Sequence, residues 1–220
     1  INKSNRLITF CITSCNRYNL LCSTIDSFMK LNTYPISKYL LNEDSGNKDV
    51  IKKIIDRYGD IFHIIRSPKN EGLLKSVDNL YSLVETPYIF HCEDDWLFKS
   101  NPNFIKESLD ILEDNSNINQ VWIREGIPTN WLEFKNKNFS MVKQSHFGDW
   151  CGFSFNPGLR RLSDYKRIFP NGYNSLNVHG TNSALSEHEC NQVAAINGYR
   201  AAIINNPACK HSGEGKSTYK

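Results

Sequence analysis

Three consecutive acidic side chains, Glu93, Asp94 and Asp95, lie in the segment HCEDDWLF, directly after an apolar run and directly before a tryptophan. Like charges packed this closely repel one another and raise each other's proton affinity, so the triplet requires a cation or hydrogen-bond donors nearby. Mg²⁺ and Mn²⁺ prefer carboxylate oxygens and commonly combine one or two carboxylates with substrate phosphates and water. The triplet therefore indicates a divalent-cation site, and the alternative is a solvated turn.

The backbone conformation of the triplet determines the direction in which each acidic side chain projects. In an extended strand, Glu93 and Asp95 project to one side and Asp94 to the other. We therefore expect the outer two residues to share one environment and the middle one to face another.

A second acidic segment, NEDSGN (42–47), contains Asp44. Asp-Ser-Gly is ordinary turn chemistry. An acidic residue after the second strand of an α/β half also suits a ribose hydroxyl or a base edge. Both interpretations stay open at this point.

The elements that must position these acids alternate between strand and helix up to residue 98. RLITFCIT is a short apolar run typical of a buried strand, and in the next segment Leu21, Ile25 and Phe28 recur at helical spacing. The alternation continues to a fourth strand, which ends at the acidic triplet. The order β-α-β-α-β-α-β predicts an α/β fold, with a mainly parallel twisted sheet flanked by helices on both faces.

Polar residues follow each of the four predicted strands. In sheets of this kind, ligands bind outside the carboxyl ends of the strands. We therefore expect one crevice to be lined by four loops, which are TSCNR, NEDSGN, SPKNEG and EDDW.

The second half of the chain is less regular. Residues 118–155 are rich in aromatic side chains, with strand-like pieces at QVWIR and FSMVKQ, and the Gly- and Asn-rich segment that follows predicts a loop. A helix from about 186 to 197, with Gly198 as its stop, precedes a last strand. With no internal repeat or low-complexity linker, we expect one domain, with a nucleotide-binding half (1–98) and an acceptor-binding half (99–220).

The composition excludes several classes of protein. The chain has 220 residues, 40% of them hydrophobic, and a formal net charge of +3, which is typical of a soluble globular protein and too small to favour a nucleic-acid partner. No apolar run approaches the roughly 20 residues of a transmembrane helix. Seven cysteines form an odd set without a CxxC pair, which favours reduced thiols and a cytoplasmic location, alone or as one domain of a longer chain.

The first half resembles the GT-A class of nucleotide-sugar glycosyltransferases, especially the family 2 group. The first strand with its TSCNR loop is similar to that family's opening, and NEDSGN is similar to its Asp-Asp-Gly-Ser turn. The stretch from NEG to EDDW is similar to its Asn-x-Gly segment leading to the metal-binding DXD motif. The resemblance covers residues 7–98 well and 184–216 more weakly.

This resemblance implies a role for each acidic strand end and its neighbours. Asp95 is expected to be the main metal ligand, for Mn²⁺ or Mg²⁺. The nucleotide- and donor-binding residues are then expected to be Thr13, Arg17, Asp44, Asn70, Gly72, Glu93 and Asp94.

Similar enzymes also place an acidic pair at a helix start, about eleven residues before a Gly-aromatic stop. Counting back from Gly198 identifies Glu187 as the candidate general base, with Glu189 in reserve. Without that match, both glutamates would be explained by the electrostatics of a helix N-terminus. His211 corresponds to a histidine that completes the metal or diphosphate site.

Two further residues are candidates on their residue type. Lys216, in a Gly-rich tail, could meet a phosphate as a point charge, although such a tail is more often flexible. Trp150 could form a wall of the acceptor or donor-sugar site, although core packing is the more common use of a tryptophan.

The expected function is therefore metal-dependent transfer of a sugar from a nucleoside-diphosphate sugar, with UDP favoured, to a hydroxyl of a glycan, protein or other acceptor. The expected mechanism is inverting and the class hexosyltransferase. The alternatives are a Mg²⁺-dependent nucleotidyl- or phosphotransfer enzyme, and a non-catalytic module that binds nucleotide sugars or carbohydrate.

Overall fold

The structure is a computed structural model that describes residues 6–143, 152–176 and 183–213. Trp150 and Lys216 lie outside the described residues. The six α-helices described are α1 (Tyr18–Leu31), α2 (Lys48–Tyr58), α3 (Leu73–Tyr81), α4 (Phe104–Asp114), α5 (Leu162–Ile168) and α6 (Ser183–Ile196). The strands described are β1 (Ile8–Ser14), β2 (Lys38–Glu43), β3 (His63–Arg66), β4 (Tyr88–Glu93), β5 (Trp96–Phe98), β6 (Ile118–Trp122), β7 (Leu132–Lys135), β8 (Phe139–Val142), β9 (Gly158–Arg161), β10 (Arg200–Ile204) and β11 (Cys209–His211).

Nine of these strands form one sheet, in the order β3-β2-β1-β4-β9-β6-β10-β8-β7. The first four strands in this order are parallel neighbours, and of the nine only β9 and β8 run against the rest. Thr13 pairs with Asn42 on one side and with Glu93 on the other, so the carboxyl ends of β1, β2 and β4 lie level. The predicted parallel α/β architecture is confirmed.

Helices cover both faces of this sheet, as expected from strands that are apolar along their whole length. On one face Leu21, Ile25 and Phe28 of α1 pack with residues of α2 and α4 in one core. On the other face α3, α5 and α6 contribute to a second core, which includes Val77 and Cys190. The sheet is therefore held rigidly, and its carboxyl edge can position loops.

The sequence patterns missed several short elements. Strand β9 and helix α5 lie where no regular structure was predicted, because elements of four and seven residues carry too little periodicity to be recognised. Strands β5 and β11 form a separate two-stranded antiparallel sheet in which His211 pairs with Trp96. His211 was expected in a tail after the final strand, and it lies instead within a strand that packs beside the acidic triplet.

The structure bears on the cysteines and on the absence of a membrane-spanning segment, within the described residues. Six of the seven cysteines lie within them, and all six are free thiols. No helix among the described residues is long and apolar enough to cross a membrane.

Candidate functional site

The acidic triplet does not continue the strand as an extended backbone. Strand β4 ends at Glu93, and Asp94 and Asp95 form the turn into β5. The expected alternation is therefore wrong, because the strand gives way to a turn within the triplet. Asp94 and Asp95 meet the same cation, whereas Glu93 faces a different set of neighbours.

That cation is Arg17, at the residue preceding α1. Its guanidinium donates to both oxygens of Asp94, from Nε to Oδ2 at 3.2 Å and from Nη2 to Oδ1. Nη1 lies 2.9 Å from Oδ2 of Asp95. The hydroxyl of Ser14, at the end of β1, also donates to Asp94 at 2.8 Å, so the two nearly buried carboxylates share the charge of Arg17 and Asp94 has one further donor.

The three carboxylates differ in proton affinity. Burial raises the pKa of Asp94 to about 6, although the charge and hydrogen bonds of Arg17 oppose that rise. Burial also acts on Asp95, but the hydrogen bond with His211 and the charge of Arg17 outweigh it and lower its pKa. Burial, together with the charges of Asp95 and Glu187, raises the pKa of Glu93 to about 8. Asp95 is thus the member best kept ionised.

Asp95 and His211 form the pair best suited to a divalent cation. Nε2 of His211 lies 3.2 Å from Oδ2 of Asp95, and both the amide and the hydroxyl of Ser212 donate to the Asp95 carbonyl, at 2.8 and 2.9 Å. A Cβ added to Gly213 would lie 2.4 Å from the same Oδ2, so only glycine permits this approach. The carboxylate oxygen of Asp95 is a ligand that suits Mg²⁺ or Mn²⁺.

This pair is not a complete ligand cage. Among the described ranges, no group of three or more His, Cys, Asp or Glu side chains forms a metal-binding cluster. Mg²⁺ and Mn²⁺ sites often take their remaining ligands from substrate phosphates and water. The residues present therefore fit a cation that arrives together with a diphosphate.

Asp44 hydrogen-bonds to the backbone of the loop before α3. It is fully buried, and its two oxygens accept the backbone N–H groups of Glu71 and Gly72, each at 2.9 Å. Burial raises its pKa, and those two hydrogen bonds oppose the rise. Asn70 also accepts from Gly72, at 3.0 Å. The expected nucleotide-binding residues Asp44, Asn70 and Gly72 thus form one hydrogen-bonded unit between β2 and α3.

Glu43 belongs to the same edge, although it was not selected from the sequence. Its Oε1 accepts from the amides of Asn16 at 3.0 Å and Ser45 at 3.1 Å, which ties the loop after β1 to the turn after β2. Asn16 has a φ of 58°, a left-handed conformation that this contact helps to hold. The adjacent acids Glu43 and Asp44 could have indicated both residues, but only Asp44 was selected from the sequence as a candidate.

Glu187 lies on α6 with its side chain nearly buried. Its Oε1 accepts from the hydroxyl of Ser154 at 3.0 Å and from the amide of Phe155 at 2.6 Å. Its charge contributes to the raised pKa of Glu93, so the two carboxylates face a common region. Glu189, two residues further along, is exposed. The structure thus brings Glu187, and not Glu189, to the acidic edge.

Two polar residues that the sequence did not single out connect these carboxylates. With its amide nitrogen oriented toward Glu93, Asn156 donates to Oε2 at 3.1 Å, and its oxygen accepts from Arg124 Nε at 3.1 Å and lies 2.9 Å from the Ser154 hydroxyl. Burial lowers the pKa of Arg124, and the negative charges of Glu187 and Glu93 oppose that decrease. The aromatic context of Asn156, in FSFNPG, gave no sequence signal for this bridge.

Comparison with solved structures identifies proteins of the same fold. The mannosyltransferase PcManGT from Pyrobaculum calidifontis, solved with GDP-Man and Mn²⁺, is similar with a TM-score of 0.65 and 11% identity, over 96% of this chain and 58% of its own. S. aureus TarS 1-349, solved with UDP-GlcNAc, is similar with a TM-score of 0.67 and 11% identity, over 96% of this chain and 61% of its own. The fold is therefore GT-A, and this chain spans less than two thirds of either structure.

No curated protein matches the chain. The sequence model described as "Glycosyl transferase family 2" matches residues 9–187, which is well over half of the chain. That match spans the carboxyl edge of the sheet, the acidic triplet and Glu187. The chain belongs to glycosyl transferase family 2.

Proposed function

We propose that this chain is a metal-dependent glycosyltransferase that moves a sugar from a nucleoside-diphosphate sugar, with UDP favoured, to an acceptor hydroxyl. The observation that carries the proposal is the convergence of Asp95 Oδ2, His211 Nε2 and the Arg17 guanidinium at one point of the sheet edge. An acid, an imidazole and a cation together suit a metal-bound diphosphate. The family supports the same class of reaction.

The donor nucleotide is proposed to bind over residues 1–98. Thr13, Asn70 and Gly72 lie at the strand ends, and the Asp44 hydrogen bonds fix the loop that carries the latter two. Two similar structures are described as complexes with GDP-Man and with UDP-GlcNAc. We favour UDP for this chain, and the acceptor, whether a glycan, a protein or another hydroxyl compound, is proposed to enter from the 99–220 half.

Asp95 and His211 are proposed to hold Mn²⁺ or Mg²⁺. The chemistry that such an ion supplies when bound is neutralisation of the departing diphosphate as a Lewis acid. Arg17, already within hydrogen-bond distance of both Asp94 and Asp95, is proposed to contribute a second positive charge to the diphosphate. Asp94 then holds Arg17, and Glu93 is proposed to contact ribose, water or the sugar.

Glu187 is proposed as the general base of an inverting hexosyltransferase. Its carboxylate takes the proton of the acceptor hydroxyl while that oxygen bonds to the anomeric carbon, and the bond from that carbon to the diphosphate breaks. Its burial and its two hydrogen bonds support this choice over the exposed Glu189.

A thermal-shift panel with UDP, GDP, UDP-GlcNAc and GDP-mannose, each with and without Mn²⁺, tests the proposal. A ligand at about 100 times its Kd stabilises the native state by about 2.7 kcal/mol, which raises Tm by about 5–10 °C for a chain of this size. We expect a UDP compound with Mn²⁺ to give the largest shift.

The variant Asp95→Asn is expected to lose the Mn²⁺-dependent part of that shift and to keep the part seen without metal. Asp114→Asn, an exposed carboxylate at the end of α4, is the matched control. An unchanged Mn²⁺ effect in Asp95→Asn would exclude Asp95 as a ligand. A panel with no shift for any nucleotide would exclude the donor class.

A further inference from the structure

We propose that Ser154 is a positioning residue for Glu187, an inference that rests on the proposed role of Glu187 as general base. The hydroxyl of Ser154 donates to Oε1 of Glu187 at 3.0 Å, and the neighbouring amide of Phe155 donates to the same oxygen at 2.6 Å. Two donors from one short segment therefore hold one oxygen of the carboxylate. That arrangement fixes how the side chain is turned toward the acidic edge.

Ser154 is itself held at every polar atom. Its amide donates to Gln120 Oε1 at 3.2 Å, its carbonyl accepts from Nη2 of the buried Arg160, and its hydroxyl oxygen accepts from the amide of Asn156 at 3.0 Å. The residue is fully buried. Its hydroxyl is thus a fixed donor that cannot swing away into solvent.

The hydroxyl proton has two acceptors within reach, Glu187 Oε1 at 3.0 Å and the Asn156 side-chain oxygen at 2.9 Å. A carboxylate is the stronger acceptor, because a hydrogen bond to an ionised group is about twice as strong as one between neutral groups. We therefore assign the proton to Glu187. The oxygen's own acceptor position is filled by the Asn156 amide, which leaves the hydroxyl to act as donor.

The consequence for the reaction is geometric. A general base must lie within hydrogen-bond reach of the proton that it removes, and a misplacement of about 1 Å can cost about a hundredfold in rate. Removing the Ser154 hydroxyl takes away one of the two donors to Oε1 and so loosens the orientation of the carboxylate. Ser154 is thus a positioning residue.

The first test is Ser154→Ala, measured as kcat and KM for nucleoside-diphosphate release from the donor that stabilises the chain most in the panel above. We expect kcat to fall by about ten- to a hundredfold while the donor Kd, measured by thermal shift, changes less than twofold. Ser140→Ala is the matched control. Ser140 is also buried, and its hydroxyl donates to the side chain of Asn205 at 2.8 Å, outside the site. We expect Ser140→Ala to leave both quantities unchanged.

A double-mutant cycle with Glu187→Gln separates positioning from a general loss of stability. If Ser154 acts through Glu187, Ser154→Ala should not lower the residual rate of Glu187→Gln further. Equal losses in both backgrounds, or a parallel weakening of donor binding, would overturn the inference. A lowered kcat for Glu187→Gln together with a normal kcat for Ser154→Ala would also overturn it. A Glu187→Gln variant with normal turnover would instead refute the proposed base.

Discussion

At the scale of single residues, the acids after β4 have distinct environments although they are adjacent in sequence. Asp94 is buried, forms an ion pair with Arg17 and accepts a hydrogen bond from Ser14, whereas one oxygen of Asp95 contacts both Arg17 and His211. Glu93 faces Asn156 instead and is the most readily protonated of the three. The turn at 94–95 creates this division of environments.

Arg17 is the residue on which this charge balance depends. In Arg17→Ala, Ser14 would be the one donor left to the nearly buried Asp94 among the described residues, so we expect a loss of about 3 kcal/mol in the free energy of unfolding at pH 8. Urea denaturation measures the change. Lys106→Ala, which removes an exposed ion pair with Asp110 on α4, should leave the unfolding midpoint unchanged. Equal midpoints for the two variants would contradict the assignment.

At the scale of elements, the loops at the carboxyl edge contact one another as well as the strands that precede them. Gly46, in the turn after β2, has a φ of 69°, and a Cβ there would lie 2.4 Å from the carbonyl oxygen of Pro68 in the loop after β3. Asp44 joins the same two loops through the amides of Glu71 and Gly72. The predicted nucleotide-binding edge is therefore one packed surface.

Gly46→Ala tests this close packing. Any alanine at a positive φ costs about 1–2 kcal/mol, and overpacking against the Pro68 backbone adds about 1–3 kcal/mol. Gly126→Ala is the matched control, because Gly126 has a φ of 82° but, apart from its chain neighbours, no atom of the described residues lies within 4 Å of its added Cβ. Urea denaturation should show the larger loss for Gly46→Ala, together with weaker UDP binding. Identical losses would show that the loops can separate freely.

At the scale of the whole molecule, the sheet is buried so completely that it encloses a histidine. His91 on β4 is fully buried, its ring lies 5.7 Å from that of Tyr81 and 5.9 Å from that of Phe155, and neither ring nitrogen has a hydrogen-bond partner among the described residues. Burial, with the charge of Arg160, places its pKa well below the usual range. Native His91 therefore stays neutral where an unfolded histidine takes up a proton.

This difference predicts a pH dependence of stability. Below an unfolded pKa of about 6.5, the unfolded state binds one more proton, so His91 lowers the free energy of unfolding by about 1.4 kcal/mol per pH unit as pH falls. Glu93 and Asp94, whose pKa values are raised, act in the opposite direction, so the measurement is a difference between variants.

Urea denaturation of His91→Phe between pH 7.5 and pH 5 measures this contribution. We expect the variant to lack the part of the decrease in the free energy of unfolding that is due to His91. His63→Gln, at an exposed position of β3, should keep the pH dependence of the original chain. A His91→Phe profile parallel to that of the original chain would contradict a neutral buried imidazole.

The sequence determined the first four strands, their helices and the acids at their ends, because long amphipathic helices and buried apolar strands leave strong periodic signals. It also indicated Asp95, His211 and Glu187 through a resemblance in order and spacing. It could not reveal that Arg17 reaches both Asp94 and Asp95, since a turn and not an extended strand joins those two residues.

Only the tertiary structure decided how the second half completes the edge. Strand β11 brings His211 beside Asp95, and the 154–156 segment connects Glu93 to Glu187. These contacts join residues that are 30 to more than 100 positions apart, and strands β5 and β11 are only three residues long. Local periodicity records which residues form a strand or helix, whereas the pairing of short strands depends on packing against the completed sheet, which no local pattern encodes.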